Sequence, residues 1–148
     1  MRLPEQKLYD WLVRKIGHRA MLERVENRVK KDTPDLYFST KAQPATDDRP
    51  LTGWIELKCL DAFPVKATTT VKLPHWTTGQ RYWAIRHRTY GGNTWLLVQV
   101  GDEVFVFNAV ELATNDWTRA EWRSYGVRLD KKTCSTEDVL VALREFVV

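Results

Sequence analysis

The sequence predicts an α/β (α+β) sandwich built on a mixed sheet. Three observations carry that expectation. A helix-period segment opens the chain, three short strand-like segments follow it, and a second helix leads into a hairpin. With 148 residues, 43% of them hydrophobic and 7 of them Trp, the chain has the material for one domain with a proper core. The same composition excludes a disordered segment.

Pro4 suits a first helical position, and Leu8, Trp11, Leu12 and Ile16 recur at helical spacing over residues 5–16 before Gly17 stops the run. Residues 21–29 and 36–38 read as strands on either side of the Thr33-Pro34 break. Residues 40–52 are polar and Pro-punctuated, as a loop should be, and Gly53 opens a third strand over 54–59. Residues 61–76, with Pro64 and Pro74, read as an irregular connection. A helix is expected over 77–87, with Thr77 or Thr78 as cap and Tyr82, Trp83 and Ile85 among its apolar residues. After the Gly91-Gly92-Asn93 turn, residues 94–100 and 104–107 form a hairpin around Gly101-Asp102. The chain closes on an acid-capped helix over 135–146 that starts at Ser135.

Charge is distributed unevenly. Formal net charge is +4, yet residues 1–31 carry +5, 32–61 carry −3, 62–101 carry +5 without one Asp or Glu, and 102–148 carry −3. Two basic blocks around a short acidic one suit a polyanion partner with an acidic site at its centre, while solvated surface charge is the plainer alternative. No run approaches the roughly 18 apolar residues of a membrane span, and the N-terminus lacks the apolar core of a secretory signal. Cys59 and Cys134 are too few for a disulfide scaffold. A cytoplasmic, non-membrane protein is the expectation.

The chemistry-bearing pattern is Thr33-Pro34-Asp35 together with Ile55-Glu56-Leu57-Lys58. Side chains two apart on a strand share a face, so Glu56 and Lys58 project together while Ile55 and Leu57 face the core. A carboxylate and an amine on one face of a central strand are costly unless paired or used. A return of the chain would set Asp35 beside Glu56, giving an oxygen-rich site for a hard divalent cation. Such an ion can activate water and neutralise charge on a phosphodiester, with the Lys58 ammonium beside it. The bland alternatives are a turn residue at Asp35 and a solvated salt bridge between Glu56 and Lys58.

This arrangement resembles the PD-(D/E)XK nuclease superfamily, with Pro34-Asp35 as the first half of its motif and Glu56-Leu57-Lys58 as the second. Within it, the sequence is most similar to the small phage and archaeal-type Holliday junction resolvases and VRR-NUC domains. Those share a Thr/Ser-x-x-Gln element, here Thr77-Thr78-Gly79-Gln80. The resemblance spans residues 5–107 of a single nuclease domain and leaves 108–148 as a C-terminal extension with a terminal helix. It implies a restriction-endonuclease-like core, a mixed central sheet flanked by helices.

The resemblance further implies that Asp35, Glu56 and the Leu57 carbonyl bind Mg²⁺, with Mn²⁺ as substitute, and that Lys58 is the catalytic lysine. Glu5 is the best match for a first-helix carboxylate ligand, with Asp10 and Glu26 as competitors; a helix-start carboxylate is the alternative for Glu5. Gln80 is placed at the water, the lysine or a phosphate, unless it is merely surface-polar. Lys66, Lys72, Arg81, His87 and Arg88 are the candidate DNA contacts, positioning phosphate without reading sequence; solvated basic residues are the alternative. Trp76 either stacks on an unpaired base or packs on the sheet.

The implied activity is a Mg²⁺-dependent DNA endonuclease selective for branched structures, as in recombination and repair, with a homodimer as a plausible assembly. The rivals are a non-catalytic nucleic-acid-binding or assembly module and a sequence-specific restriction-type enzyme. Other chemistries find little support. His18, His75 and His87 are isolated, no His/Cys spacing suggests zinc, and there is no phosphate-binding glycine loop. Cys59 reads as a small core residue rather than a nucleophile.

Overall fold

In a computed structural model of the chain, residues 2–25, 29–41 and 49–147 are described. One helix, α1 (Leu3–Ile16), precedes a meander of β1 (Ala20–Arg24), β2 (Leu36–Thr40) and β3 (Thr52–Leu60). Helix α2 (Thr78–Thr89) then crosses to β4 (Thr94–Val100), which hairpins into β5 (Glu103–Asn108). Short helices α3 (Ala109–Thr114) and α4 (Arg119–Tyr125) lead to β6 (Val127–Asp130) and α5 (Thr136–Arg144). The six strands lie side by side in chain order, all neighbours antiparallel except β3 and β4, which are parallel. The parallel step is the one that needs a long crossover, and residues 61–77 with α2 supply it.

The predicted mixed sheet flanked by helices is therefore present. Each face of the sheet has its own core. Leu8, Trp11, Leu12 and Ile16 of α1 and Val139, Leu140 and Leu143 of α5 pack on Leu36, Phe38, Ile55, Leu57, Trp95 and Leu97. On the other face, Leu96, Val98, Phe105 and Phe107 meet Ala84 of α2, Leu112 of α3 and Trp122 of α4. Strand β4 is buried on both faces, which explains its nearly unbroken apolar sequence. Burying a large side chain contributes about 1.5–3 kcal/mol, so the two layers dominate stability.

The segment after residue 107 is integral to these layers. Strand β6 extends the sheet beside β5, and α5 lies along α1. The Trp11 indole donates to the Lys131 carbonyl at 2.9 Å, and the Trp95 indole donates to that of Leu143 at 2.9 Å. Ser135 caps α5 in a reciprocal box with Asp138, as its acidic start suggests. Strand β6 is absent from the sequence expectation because its four residues offer only Val127 and Leu129 as an alternating pair. The first predicted strand is shorter than 21–29; its residues 26–28, and the Glu26 candidate with them, lie outside the described residues.

Gly53 and Gly101 are each required by local geometry. A Cβ on Gly53 would meet the Asn93 carbonyl oxygen at 2.3 Å, because the loop before β4 crosses close to the start of β3. Gly101 has φ +60° at the first turn position of the β4–β5 hairpin, which suits a type II′ turn. Among the described residues, no helix is long and apolar enough to cross a membrane.

Candidate active site

Asp35 immediately precedes β2, and Leu36 pairs with Ile55, so the register sets Asp35 across from Glu56. With β2 beginning there, the Leu57 N–H has no strand partner on that side and donates instead to Asp35 Oδ2 at 2.8 Å. The N–H and C=O of a strand residue leave the same edge, so the Leu57 carbonyl is directed toward this open end as well. The Asp35 and Glu56 carboxyl groups are close enough for each to act on the protonation of the other. Glu56 is only 3% exposed. Burial, then the Asp35 charge, pushes its carboxyl up to about 8, against the opposing pull of Lys58. Burial also raises Asp35, offset in part by the Leu57 N–H and by Lys58. Both carboxyls are thus held above their usual range, in a place where a cation would relieve the same repulsion.

Lys58 projects from the same face of β3 and is 4% exposed. Its Nζ lies 3.3 Å from Glu56 Oε1, donates to the His75 carbonyl at 2.7 Å and donates to Gln80 Oε1 at 3.1 Å. All three ammonium donors are thereby directed at acceptors, which offsets much of the cost of burying the charge. Gln80 is held in turn by a capping box at the start of α2. The Thr77 hydroxyl accepts from the Gln80 N–H, and Gln80 Oε1 accepts from the Thr77 N–H, both at 3.1 Å. Its Nε2 reaches Glu56 Oε1 at 3.4 Å. One glutamine therefore starts the helix and bridges the lysine to the carboxylate. Gly79 makes room for Asp32, whose carboxylate oxygen would meet a Cβ there at 2.3 Å. The loop carrying Asp35 thus passes close against the start of α2.

The sequence reading missed His75. It has φ +60°, the left-handed region that non-glycine residues seldom adopt, and its carbonyl is the shortest contact of Lys58. Among the described residues it is the sole non-glycine with positive φ. Its position after Pro74 and before a buried Trp76 is the one signal the sequence offered. Trp76 packs rather than stacks: it is 7% exposed, its indole donates to the Leu112 carbonyl, and Lys58 and Arg81 lie 5.9 Å from its ring.

Of the candidate first-helix carboxylates, Glu5 is the buried one. Its Oε2 has no hydrogen-bond partner, and its charge raises both Asp35 and Cys59. Asp10 is exposed and accepts from Gln6 on the outside of α1. The unpartnered Glu5 oxygen and the Asp35–Glu56 pair, two carboxyls that share the single cation Lys58, are hard oxygen donors, so the residues fit a Mg²⁺ ion. Among the described residues no three His, Cys, Asp or Glu side chains converge on one point. Asp35, Glu56 and the Leu57 carbonyl are the donors at hand, with water to complete the set.

The basic candidates divide by position. Arg81 lies beside the site, donating from Nε to the Trp76 carbonyl at 3.2 Å. His87 and Arg88 lie two turns further along α2 and are engaged elsewhere. The His87 ring packs on Trp83 and hydrogen-bonds Thr94 Oγ1 at 2.6 Å, and burial lowers its pKa. Arg88 donates to the Phe146 carbonyl at 3.0 Å, tying α2 to the end of α5. Lys66 and Lys72 are exposed on the connection before α2. Cys59 is half-buried toward α1, with its thiol pushed up to about 11 by burial first, an environment that keeps it unreactive. No protein-family model and no curated protein matches this chain, so the geometry carries the functional argument.

Proposed function

We propose that the chain is a Mg²⁺-dependent endonuclease that hydrolyses phosphodiester bonds in DNA, selective for branched structure, on a PD-(D/E)XK core. The observation that carries this reading is the cluster of Asp35, just before β2, with the buried Glu56 and Lys58 in the middle of β3. Such a cluster of like and opposite charges destabilises an apo fold unless it has a use. Asp35, Glu56 and the Leu57 carbonyl would hold the ion. When bound, it supplies charge neutralisation on the phosphate and a more acidic water.

The remaining steps belong to the chain's own groups. Lys58, beside Glu56 and within reach of the site, would offer an ammonium donor to an anionic phosphate oxygen or to the attacking water. The His75 carbonyl and Gln80 Oε1 keep the ammonium in place. Arg81 and the exposed Lys66 and Lys72 offer positive charge to the flanking backbone, which fixes register without reading sequence. Two active sites in a homodimer would suit symmetric cutting of a junction.

The deep burial of Glu56 and Lys58 favours one second reading, a non-catalytic nucleic-acid-binding or assembly module on the same fold. Incubating the protein with branched, flapped, single- and double-stranded DNA in Mg²⁺, Mn²⁺ or EDTA separates the two. Metal-dependent product on branched substrates supports the nuclease. Salt-sensitive binding with no product on any substrate supports the module, and defined fragments from plasmid DNA would indicate a restriction-type enzyme instead.

A further inference from the structure

The outer face of α2 carries a feature that the metal site does not use. Tyr82, Arg86 and Tyr90 follow one another four residues apart, so they form a single stripe along the helix and its C-cap. Tyr82 is 65% exposed and Tyr90 is 80% exposed. Arg86 between them is also exposed and joins no ion pair among the described residues. Trp76, Trp95, Phe105, Phe107, Trp117 and Trp122 are buried by contrast, and Tyr125, 56% exposed, stacks on Trp117. By sequence Tyr82 counts among the apolar residues of this helix, whereas Ala84 is the residue α2 buries fully.

The chain segment that carries the stripe is charged with one sign. Residues 62–101 contain five Lys or Arg and no acid, and the last turn of α2 holds Arg86, His87 and Arg88. Four helical residues advance about 6 Å, so the rings stand about 12 Å apart along the axis with the guanidinium midway. Two exposed rings flanking a cation suit a partner that offers flat apolar faces and regularly spaced negative charge.

We propose that this stripe is a track for an unpaired nucleic-acid strand, with Tyr82 and Tyr90 stacking on bases and Arg86 contacting a phosphate between them. A duplex is the poorer fit. Its base faces are covered by their neighbours, so it would use the arginine and leave the rings idle. The stripe begins two residues beyond Gln80, on the other side of the same helix, so the strand it holds reaches the site around the start of α2. This deepens the nuclease reading and rests on it for one point: the substrate would carry a single-stranded arm.

The test is fluorescence anisotropy of the full chain in EDTA, with a labelled oligothymidylate and a blunt duplex of equal length. Stacking contributes about 1–3 kcal/mol per base. The Tyr82→Ala/Tyr90→Ala double variant should therefore bind the oligothymidylate at least about 30-fold more weakly while duplex affinity stays within about twofold. Tyr82→Phe/Tyr90→Phe should retain both affinities, and Arg86→Ala should shallow the salt dependence on the single strand by about 0.7 in log-log slope. Equal losses on both probes, no loss on the oligothymidylate, or no single-strand binding by the wild type would each overturn the proposal. Binding of an acidic peptide in place of the oligothymidylate would overturn it in favour of a protein partner. Mg²⁺-dependent cleavage of a labelled branched DNA carrying a single-stranded arm is measured alongside for the wild type and the alanine variant. Cleavage by the wild type with unchanged single-strand binding in the variant rejects the track and spares the nuclease; tyrosine-dependent binding without wild-type cleavage does the reverse.

Discussion

Replacing Glu56 by Gln removes the carboxyl group that the fold holds least comfortably, and its consequence for stability can be worked out. In the folded chain that carboxyl is raised from 4.5 to about 8, by burial first and then by Asp35. The native state therefore binds more protons than the unfolded state between these values, and stability falls as pH rises through the window. At roughly 1.4 kcal/mol per pH unit the full interval sets a ceiling of about 5 kcal/mol. The Asp35 charge contributes to that shift, so the loss belongs to the pair. Total stability of such a domain is about 5–15 kcal/mol, which makes the effect large. Thermal and urea unfolding in EDTA at pH 5.5, 7 and 8.5 should show the wild type losing stability relative to Glu56→Gln as pH rises. Saturating Mg²⁺ should restore the wild type at pH 8.5 and leave the variant nearly unmoved. A wild type whose stability rises relative to the variant across this window would refute the reasoning, as would a Mg²⁺ effect of equal size on both proteins.

Other consequences follow from single residues. Gly53→Ala should lower stability by about 2–4 kcal/mol in urea unfolding, since its Cβ would meet backbone at 2.3 Å. His75→Gly relaxes the φ of +60° and should leave thermal stability equal or slightly higher, by up to about 1 kcal/mol, whereas His75→Val should lower it. The Tyr82/Tyr90 pair should separate single-strand from duplex affinity in the anisotropy measurement described above.

Much of the fold was legible because local chemistry and tertiary packing agree. Leu8, Trp11, Leu12 and Ile16 announce a helix and all four are buried, while Ser135 with Asp138 caps the last helix as its acidic start suggests. Asp35, Glu56 and Lys58 were legible as a set because strand alternation alone places Glu56 and Lys58 together, apart from the core-facing Ile55 and Leu57. What escaped depends on neighbours distant in sequence. Strand β6 is a strand because β5 offers it an edge, and four residues cannot signal that in advance. His75 adopts its backbone because Lys58, seventeen positions earlier, takes its carbonyl. The outward turn of Tyr82 follows from α2 packing on its Ala84 side, which an aromatic-rich helical sequence does not reveal. His87 and Arg88 share the helix with Gln80 and Arg81, yet the packing of Trp83 and the reach to Phe146 engage them away from the site.

The central claim is that Asp35, Glu56 and Lys58 form one hydrolytic centre, and single-turnover cleavage of a labelled four-way junction tests it most directly. Wild type, Asp35→Asn and Lys58→Ala would be compared in Mg²⁺, with junction binding measured in parallel by anisotropy. The account predicts metal-dependent cleavage by the wild type, its loss in both variants, and junction affinity largely preserved. Full metal-dependent cleavage by either variant would contradict it.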